Sequence, residues 1–367
     1  MKFTVSQSSL TQAIGVVMKG VASASTLPIL SGVLVKAQDG ILEFQTSNYT
    51  ISIRHRIAAH VEEEGEMVIP CKMLSNITKT LPDAPVTFEL SERQVLIGCE
   101  KSSFRLNTLD ANDFPEFPAY VIESAVELPT DILSEMVGRV WRVTSTDKAR
   151  PILGGVHMKV ENNTVRLVAT DSFRLAVCDT QVETSTLEGS FELNVPADAF
   201  NDALNIMASQ ATIMIGATDT QVVFEAGNTT YVSRRIEGVY PNYKQLIPDS
   251  CVTSVKIDVA AFNAALKRVA VIASANPAVK FEIDVENGQM GLSSISNDQD
   301  LAQETIDVEA EGESGTIAFN YHYIFGCLNA LSKEKEITLE LKSYSQAGIF
   351  KSYDKINYLY LVMPVRI

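Results

Sequence analysis

Apolar and polar residues alternate along most of the chain, and that period of two predicts strands. Examples are Leu42, Phe44 and Thr46 with Ile51 and Ile53, then Val165, Leu167 and Ala169, then Val222, Phe224 and Ala226. Six stretches break the alternation and read as helices: Ser8 to Val21, Cys71 to Leu81, Thr130 to Val143, Ala197 to Ala208, Val259 to Ala273 and Tyr321 to Ser332. In the fifth, Phe262, Leu266 and Val269 form one apolar stripe and Asp258 is placed as its N-cap, as Thr130 or Asp131 is for the third. One alternating stretch, Val168 to Val177, pauses at Thr170, Asp171 and Ser172 and resumes with Phe173, Leu175 and Val177. This pattern predicts a hairpin corner in which Asp171 or Ser172 closes the turn with its own side chain. Leu153, Pro241, Leu246 and the tail Val362 to Ile367 supply apolar residues that pack with this corner into a groove.

The pattern repeats. The phrases Met67-Val68-Ile69-Pro70, Leu193-Asn194-Val195-Pro196 and Ile317-Ala318-Phe319-Asn320 recur 126 and 124 residues apart, and Phe114-Pro115 returns as Tyr240-Pro241 after 126. Each third is a β-α-β-β-β unit given twice, which predicts α+β domains with antiparallel sheets. Domains of 1–122, 123–250 and 251–367 follow. Three of them fit an arc with sheets outside and helices inside, and two arcs close into a ring by two-fold symmetry.

The 367 residues are 46% hydrophobic, enough for an ample globular core. No apolar run approaches the roughly 20 residues of a membrane helix, and Met1 to Val5 does not open a signal peptide, so the expected location is cytoplasmic with no membrane partner. The five scattered cysteines form no Cys-x-x-Cys pair, which argues against a disulfide framework and a zinc site. The four histidines lack ligand spacing, and nucleophile elbows, phosphate-cradling loops and dinucleotide fingerprints are missing. Glu62 to Glu64 and Glu309 to Glu313 lack the calcium-loop pattern and read as solvated turns. No enzyme and no cofactor are expected.

A net charge of −15 predicts repulsion from nucleic acid unless the basic residues cluster. Several do fall on or beside helices: Lys19, Lys72, Lys79, Arg139, Arg142, Lys148, Arg150, Lys267 and Arg268. The fourth helix is the exception, with Asp198 and Asp202 and no cation.

With Met1-Lys2-Phe3-Thr4-Val5, Thr26-Leu27-Pro28-Ile29-Leu30, Ala169-Thr170-Asp171, Arg174-Leu175-Ala176-Val177, Tyr240-Pro241-Asn242-Tyr243, Phe319-Asn320, Leu328-Asn329-Ala330-Leu331 and Val362-Met363-Pro364-Val365-Arg366, the whole chain resembles the bacterial DNA polymerase III β subunits, or sliding clamps. The resemblance implies a DNA clamp fold: a homodimeric ring of six similar domains, helices facing the hole, around duplex DNA without sequence readout. It implies a cleft for linear motifs of the replicative polymerase, the clamp loader and repair proteins, formed by Leu153, Thr170, Asp171, Ser172, Phe173, Arg174, Leu175, Pro241, Asn242, Tyr243, Gln245, Leu246, Val362, Met363, Pro364, Val365 and Arg366. To the basic residues above it adds Asn320 and Tyr323 as DNA contacts, and it places Lys72, Phe104, Leu106, Ile272 and Ala273 at the dimer seam. Departures from the family pattern are Ser172-Phe173 for a frequent Gly-His, Gln245 for Arg, and Ala24 and Asp198 at positions often basic. Two readings from other classes remain beside this one: a repeat-built scaffold that never encircles DNA, and an enzyme whose site assembles across the repeats.

Overall fold

The computed structural model describes residues 1–22, 27–122, 124–182, 189–274, 277–295 and 300–366; Ala24 and Ile367 lie outside them. Among the described residues there are six α-helices: α1 (Gln7–Val17), α2 (Cys71–Thr80), α3 (Thr130–Val140), α4 (Ala197–Ile206), α5 (Val259–Ala270) and α6 (Tyr321–Ala330). They match the six predicted stretches, shortened at the C-terminal end. After α1, α3 and α5 the chain tightens into 3-10 turns at Met18–Gly20, Trp141–Val143 and Ile272–Ser274, the usual way a helix end satisfies its last carbonyls. The strands Gly65–Pro70, Ser190–Pro196 and Gly315–Asn320 lead straight into α2, α4 and α6, so the recurring phrases are strand-to-helix junctions.

Caps explain several starts. Asp258 accepts from the Ala261 N–H at 2.7 Å at the head of α5, as predicted. Ser6 does the same for α1 and Asn320 for α6. For α3 the cap expected from Thr130 or Asp131 falls inside the helix instead: α3 begins at Thr130 itself, directly after the strand Ser124–Pro129, Asp131 stands in its first turn, and the Thr130 hydroxyl is buried without a hydrogen-bond partner. The predicted stripe of α5 is buried as Val259, Phe262, Ala265, Leu266 and Val269, each large side chain stabilising by about 1.5–3 kcal/mol.

The chain divides into two compact units, each with two antiparallel sheets. The first unit takes Met1–Asp131 and Asp202–Arg235. Its five-stranded sheet runs in the order His60–Glu63, Lys2–Ser6, Pro85–Ser91, Gln94–Cys99, Ser102–Asn107. Its eight-stranded sheet runs Ser124–Pro129, Thr212–Ala217, Gln221–Ala226, Thr229–Arg234, Ile51–Ala58, Ile41–Ser47, Gly32–Gln38, Gly65–Pro70. The second unit takes Ile132–Asn201 and Ile236–Ile367. Its nine-stranded sheet runs Ser190–Pro196, Gly155–Glu161, Thr164–Thr170, Arg174–Gln181, Asn357–Val362, Gly348–Ser352, Glu336–Leu341, Thr253–Asp258, Glu309–Glu311. Its four-stranded sheet runs Leu301–Asp307, Gln289–Ile295, Ala278–Asp284, Gly315–Asn320.

Each large sheet therefore joins two thirds of the sequence. In the first unit Ile51–Ala58 pairs with Thr229–Arg234, with Arg54 opposite Thr230. In the second, Arg174–Gln181 pairs with Asn357–Val362, with Val177 opposite Leu359. Two outer strands, Ser102–Asn107 and Leu301–Asp307, pair on one side only among the described residues.

Candidate functional site

The corner at Thr170–Arg174 is held by its own side chains. The Asp171 carboxylate accepts from the N–H groups of Phe173 (2.9 Å) and Arg174 (3.0 Å), and its other oxygen meets Arg174 Nε at 2.9 Å. Thr170 Oγ1 donates to the Arg174 carbonyl at 2.7 Å and accepts from Ser172 N–H at 3.1 Å. This closure puts Ser172 at φ 79°, a left-handed conformation that suits glycine better than serine. The hydroxyl offsets part of that strain by accepting from Arg150 Nη1 at 2.8 Å. Exchange of Ser172 for Gly is therefore expected to leave stability within about 1 kcal/mol of the parent, strain relief balancing the lost hydrogen bond. Ser172→Val, β-branched at positive φ, is expected to cost about 2 kcal/mol. Urea unfolding midpoints check both.

Behind the corner lies a buried apolar cluster of Val168, Leu175, Tyr240, Ile349 and Leu361, on which Ile152, Val177, Tyr243, Ile247 and Leu359 pack. Tyr240 also stacks on His157 with ring centroids 4.8 Å apart. The rim is apolar and exposed: Phe173 is 58% accessible, Leu246 54% and Met363 46%. Met363 N–H donates to the Phe173 carbonyl at 2.9 Å, which brings the tail against the corner. Val362 sits opposite Arg174 in the sheet, and Val365 N–H donates to the Ala318 carbonyl at 2.9 Å. Pro241, Asn242, Gln245, Leu246 and Arg366 lie exposed, with Tyr243 half-buried. Leu153 is buried beneath the surface, and its neighbour Ile152 packs on the cluster. Beside the cluster opens a cavity of about 290 Å3, whose lining includes Val177, Leu359, Tyr243, Ile247 and Lys244. Ile349, Leu359 and Leu361 join this site beyond the residues expected from the sequence, and their alternation in the strands Gly348–Ser352 and Asn357–Val362 is the signal that marks them.

The positions expected to meet DNA divide into three groups. Lys72, Lys79, Lys148 and Lys267 are exposed with no ion-pair partner among the described residues, and Arg142 is exposed with its guanidinium 4.8 Å from the Trp141 ring. Lys19 is already paired with Asp202 at 2.8 Å, Arg150 with Asp147 at 3.1 Å, and Arg268 grips both oxygens of Glu304 at 2.7 and 2.9 Å. Three positions are otherwise employed. Arg139 is 7% exposed and bound to Glu135 (2.8 Å) and Glu334 (2.9 Å), so no phosphate reaches it. The Asn320 side chain accepts from His322 N–H at 3.0 Å as the cap of α6. The Tyr323 ring lies beneath the Arg174 guanidinium at 4.7 Å and stacks with Phe173 at 6.5 Å, at the corner.

Of the seam candidates, Lys72 is exposed, Phe104 and Leu106 are half-buried on the outer strand Ser102–Asn107, and Ile272 is half-buried. Ala273 is fully buried and offers no surface to a second copy. Asp198 lies in the first turn of α4, where an acidic residue favours the helix dipole.

Three consecutive family models cover the chain: the N-terminal domain of the DNA polymerase III beta subunit over residues 1–118, the central domain over 127–242 and the C-terminal domain over 244–366. The chain is 32% identical over 374 residues to the beta sliding clamp of Synechococcus elongatus, covering 100% of both chains. The crystal structure of the Bacillus subtilis DNA polymerase sliding clamp superposes with a TM-score of 0.92 at 30% identity, covering 100% of this chain and 99% of that one. The crystal structure of the DNA polymerase III beta subunit from Thermotoga maritima superposes with a TM-score of 0.92 at 29% identity, covering 100% of this chain and 99% of that one. The chain belongs to the DNA polymerase III beta-subunit family, the beta sliding clamps, which are processivity factors and not enzymes.

Proposed function

We propose that two copies of this chain close into a ring of six domains around duplex DNA in the cytoplasm, and that the ring tethers polymerase, loader and repair proteins through the cleft at Thr170–Arg174. Domain limits near residues 122 and 250 belong to this reading; 122 falls in the gap between the first two family models, which span 1–118 and 127–242, while the third model begins at 244, a few residues before 250. Among the described residues no helix is long and apolar enough to cross a membrane. The exposed cations Lys72, Lys79, Lys148, Lys267 and Arg142 are the phosphate contacts in this reading. Few and unpaired, they suit a ring that slides, since a dense grip on phosphates would act as a brake.

The observation that carries closure is the register of the two internal joins. Gly32, Gly155 and Ala278 stand opposite Pro70, Pro196 and Asn320, the residues before α2, α4 and α6. Counting across the strands from there makes Arg54, Val177 and Gln303 equivalent. The same procedure from Ser6, Pro129 and Asp258, the residues before α1, α3 and α5, makes Ser103, Thr230 and Leu359 equivalent. Both internal joins pair these equivalents, Arg54 with Thr230 and Val177 with Leu359. The remaining pair, Gln303 and Ser103, lies on the two outer strands. A second copy that repeats the rule sets Gln303 opposite Ser103, Ala302 opposite Phe104 and Leu301 opposite Arg105. In that register the half-buried rows, Phe104 and Leu106 with Ala302 and Glu304, share one face. A slip of one residue would put them on opposite faces.

Leu106→Asp tests the reading, because it places a charge in the half-buried row. The parent is expected to sediment as a dimer at micromolar concentration, to stay on circular duplex once loaded, and to leave when the circle is cut. The variant is expected to sediment as a monomer and not to be retained. A monomeric parent, or retention on unblocked linear DNA, would sink the ring and favour the scaffold.

A further inference from the structure

Three equivalent rows of side chains cross the sheets where successive repeats meet. In the second unit the row is Leu175, Leu361 and Ile349, the floor of the cleft cluster, with Leu361 opposite both others. In the first unit it is Ser52, Val232 and Val223, with Val232 opposite both others. By the same counting the third row is Leu301, Arg105 and Leu96: Arg105 stands opposite Leu96 within one copy, and Leu301 comes from the second copy at the seam.

The first two rows are buried. Leu175, Leu361 and Ile349 belong to one buried cluster with Tyr240, and Tyr243 packs against it. In the first unit the connector after Phe114 crosses the corresponding face: the Arg54 guanidinium lies 4.4 Å from the Phe117 ring, and Tyr120 Oη donates to Glu225 at 2.5 Å. The third row has no such cover among the described residues. Leu301 is 55% accessible, Leu96 is 40%, and Arg105 is exposed. Arg105 and Leu96 line a concavity of about 840 Å3 with Arg93, Gln94 and Asn107, and Glu89 and Glu92 also border it. Neither Arg105 nor Arg93 has an ion-pair partner among the described residues, in a chain of net charge −15.

We infer that the seam between two copies carries a second docking groove, different in chemistry from the cleft, for an extended acidic segment bearing an aromatic residue. Leu96 and the second copy's Leu301 take the apolar part, while Arg105 between them and Arg93 hold the carboxylates by charge-assisted hydrogen bonds. The groove exists only in the dimer, so the inference rests on the seam proposed above. The connector on the first unit's face supplies the probe: residues 113–120, Asp-Phe-Pro-Glu-Phe-Pro-Ala-Tyr, meet that face through Phe117 over Arg54 and Tyr120 on Glu225, and their two acids are the groups that Arg105 and Arg93 would hold.

A fluorescein-labelled peptide of that sequence is the probe, titrated into the full-length protein by anisotropy with sedimentation run in parallel. Saturable binding to the dimer is expected. It should weaken at least ~10-fold with Arg105→Ala or when both acids of the peptide become amides, ~3-fold or more with Arg93→Ala or Leu301→Ala, and further at raised salt. A saturating Gln-x-x-Leu-Phe-type peptide should leave it unchanged. Arg93 is outside the paired strands, so its variant reports on the groove even if Arg105→Ala weakens the dimer. No saturable binding to a confirmed dimer, displacement by the cleft peptide, or unchanged affinity in dimeric Arg93→Ala and Leu301→Ala overturns the groove and leaves the ring standing. A monomeric parent overturns both.

Discussion

Arg139→Ala is expected to destabilise the second unit by about 3–5 kcal/mol, the cost of breaking a buried ion pair by removing one partner. Its guanidinium sits in a socket: Nη2 meets Glu135 at 2.8 Å and Glu334 at 2.9 Å, Nη1 donates to the Ile356 carbonyl at 3.4 Å, and the Tyr358 ring lies 6.0 Å away. The Tyr358 hydroxyl returns a hydrogen bond to the Arg139 carbonyl at 3.2 Å. These contacts tie α3 to the strand Asn357–Val362 and to the loop after α6, so the lost energy is tertiary rather than helical. Combining Arg139→Met with Glu334→Gln should recover a large part of the loss, because the more buried carboxylate goes with its partner, while Glu135 is part-exposed and keeps Lys333 at 3.7 Å. Chemical unfolding of the two variants measures the difference, and equal stability of Arg139→Ala and the parent would show the pairs to be idle. The acid limb carries a second signature. The hydrogen bond from Arg139 is the main cause holding the Glu135 carboxyl below its ordinary range. Its contribution is present above the unfolded carboxylate pKa and is lost as pH falls through the lower folded value. Stability of the parent should thus drop more steeply on acidification than that of Arg139→Ala, modestly so because Glu135 is part-exposed.

This cluster also marks where sequence reading loses its grip. A Glu and an Arg four apart on a predicted helix look like a solvated pair, and Arg139 therefore read as a surface cation. Its burial is decided by Glu334 and Tyr358, which lie some 200 positions downstream, and no local period records that meeting. By contrast α5, its cap Asp258 and its stripe follow from local chemistry alone, and the structure matches them. The Thr170–Arg174 corner was legible for the same reason: Asp171 closes the turn through backbone groups two and three residues on. The cleft floor was half legible. Val168 and Leu175 stand in the corner's own strands, but Leu361 and Ile349 join them only because the repeats pair edge to edge. Asn320 and Tyr323 illustrate a further limit. Both sit at the head of α6, where a polar or aromatic residue reads equally well as a ligand contact, a cap or a packing group, and the structure employs Asn320 as the cap and Tyr323 against Phe173 and Arg174.

Deleting residues 363–367 should abolish docking of a Gln-x-x-Leu-Phe-type peptide while sparing the dimer. The tail has two roles at the cleft and none on the two outer strands. Met363 N–H fixes the Phe173 carbonyl, so the corner's exposed ring is held toward the groove. The Met363 side chain, 46% accessible, stands on the rim with Phe173 and Leu246 and is available to an incoming apolar anchor. Burial of Leu and Phe anchors there yields about 25 cal/mol per Å2 of apolar area. Ordering the peptide takes back much of it, which sets the parent's affinity on the order of micromolar. Loss of one wall then leaves too little surplus, and affinity should fall at least ~30-fold, about 2 kcal/mol. The strand Asn357–Val362 keeps its register with Arg174–Gln181 without the tail, so unfolding midpoints should shift little. Calorimetric titration of the truncated protein, with sedimentation alongside, decides between three cases. Lost binding in an intact dimer supports the cleft. Unchanged affinity places docking elsewhere on the chain. Loss of the dimer together with binding would make the tail a structural element of the seam, against the register derived from the two internal joins.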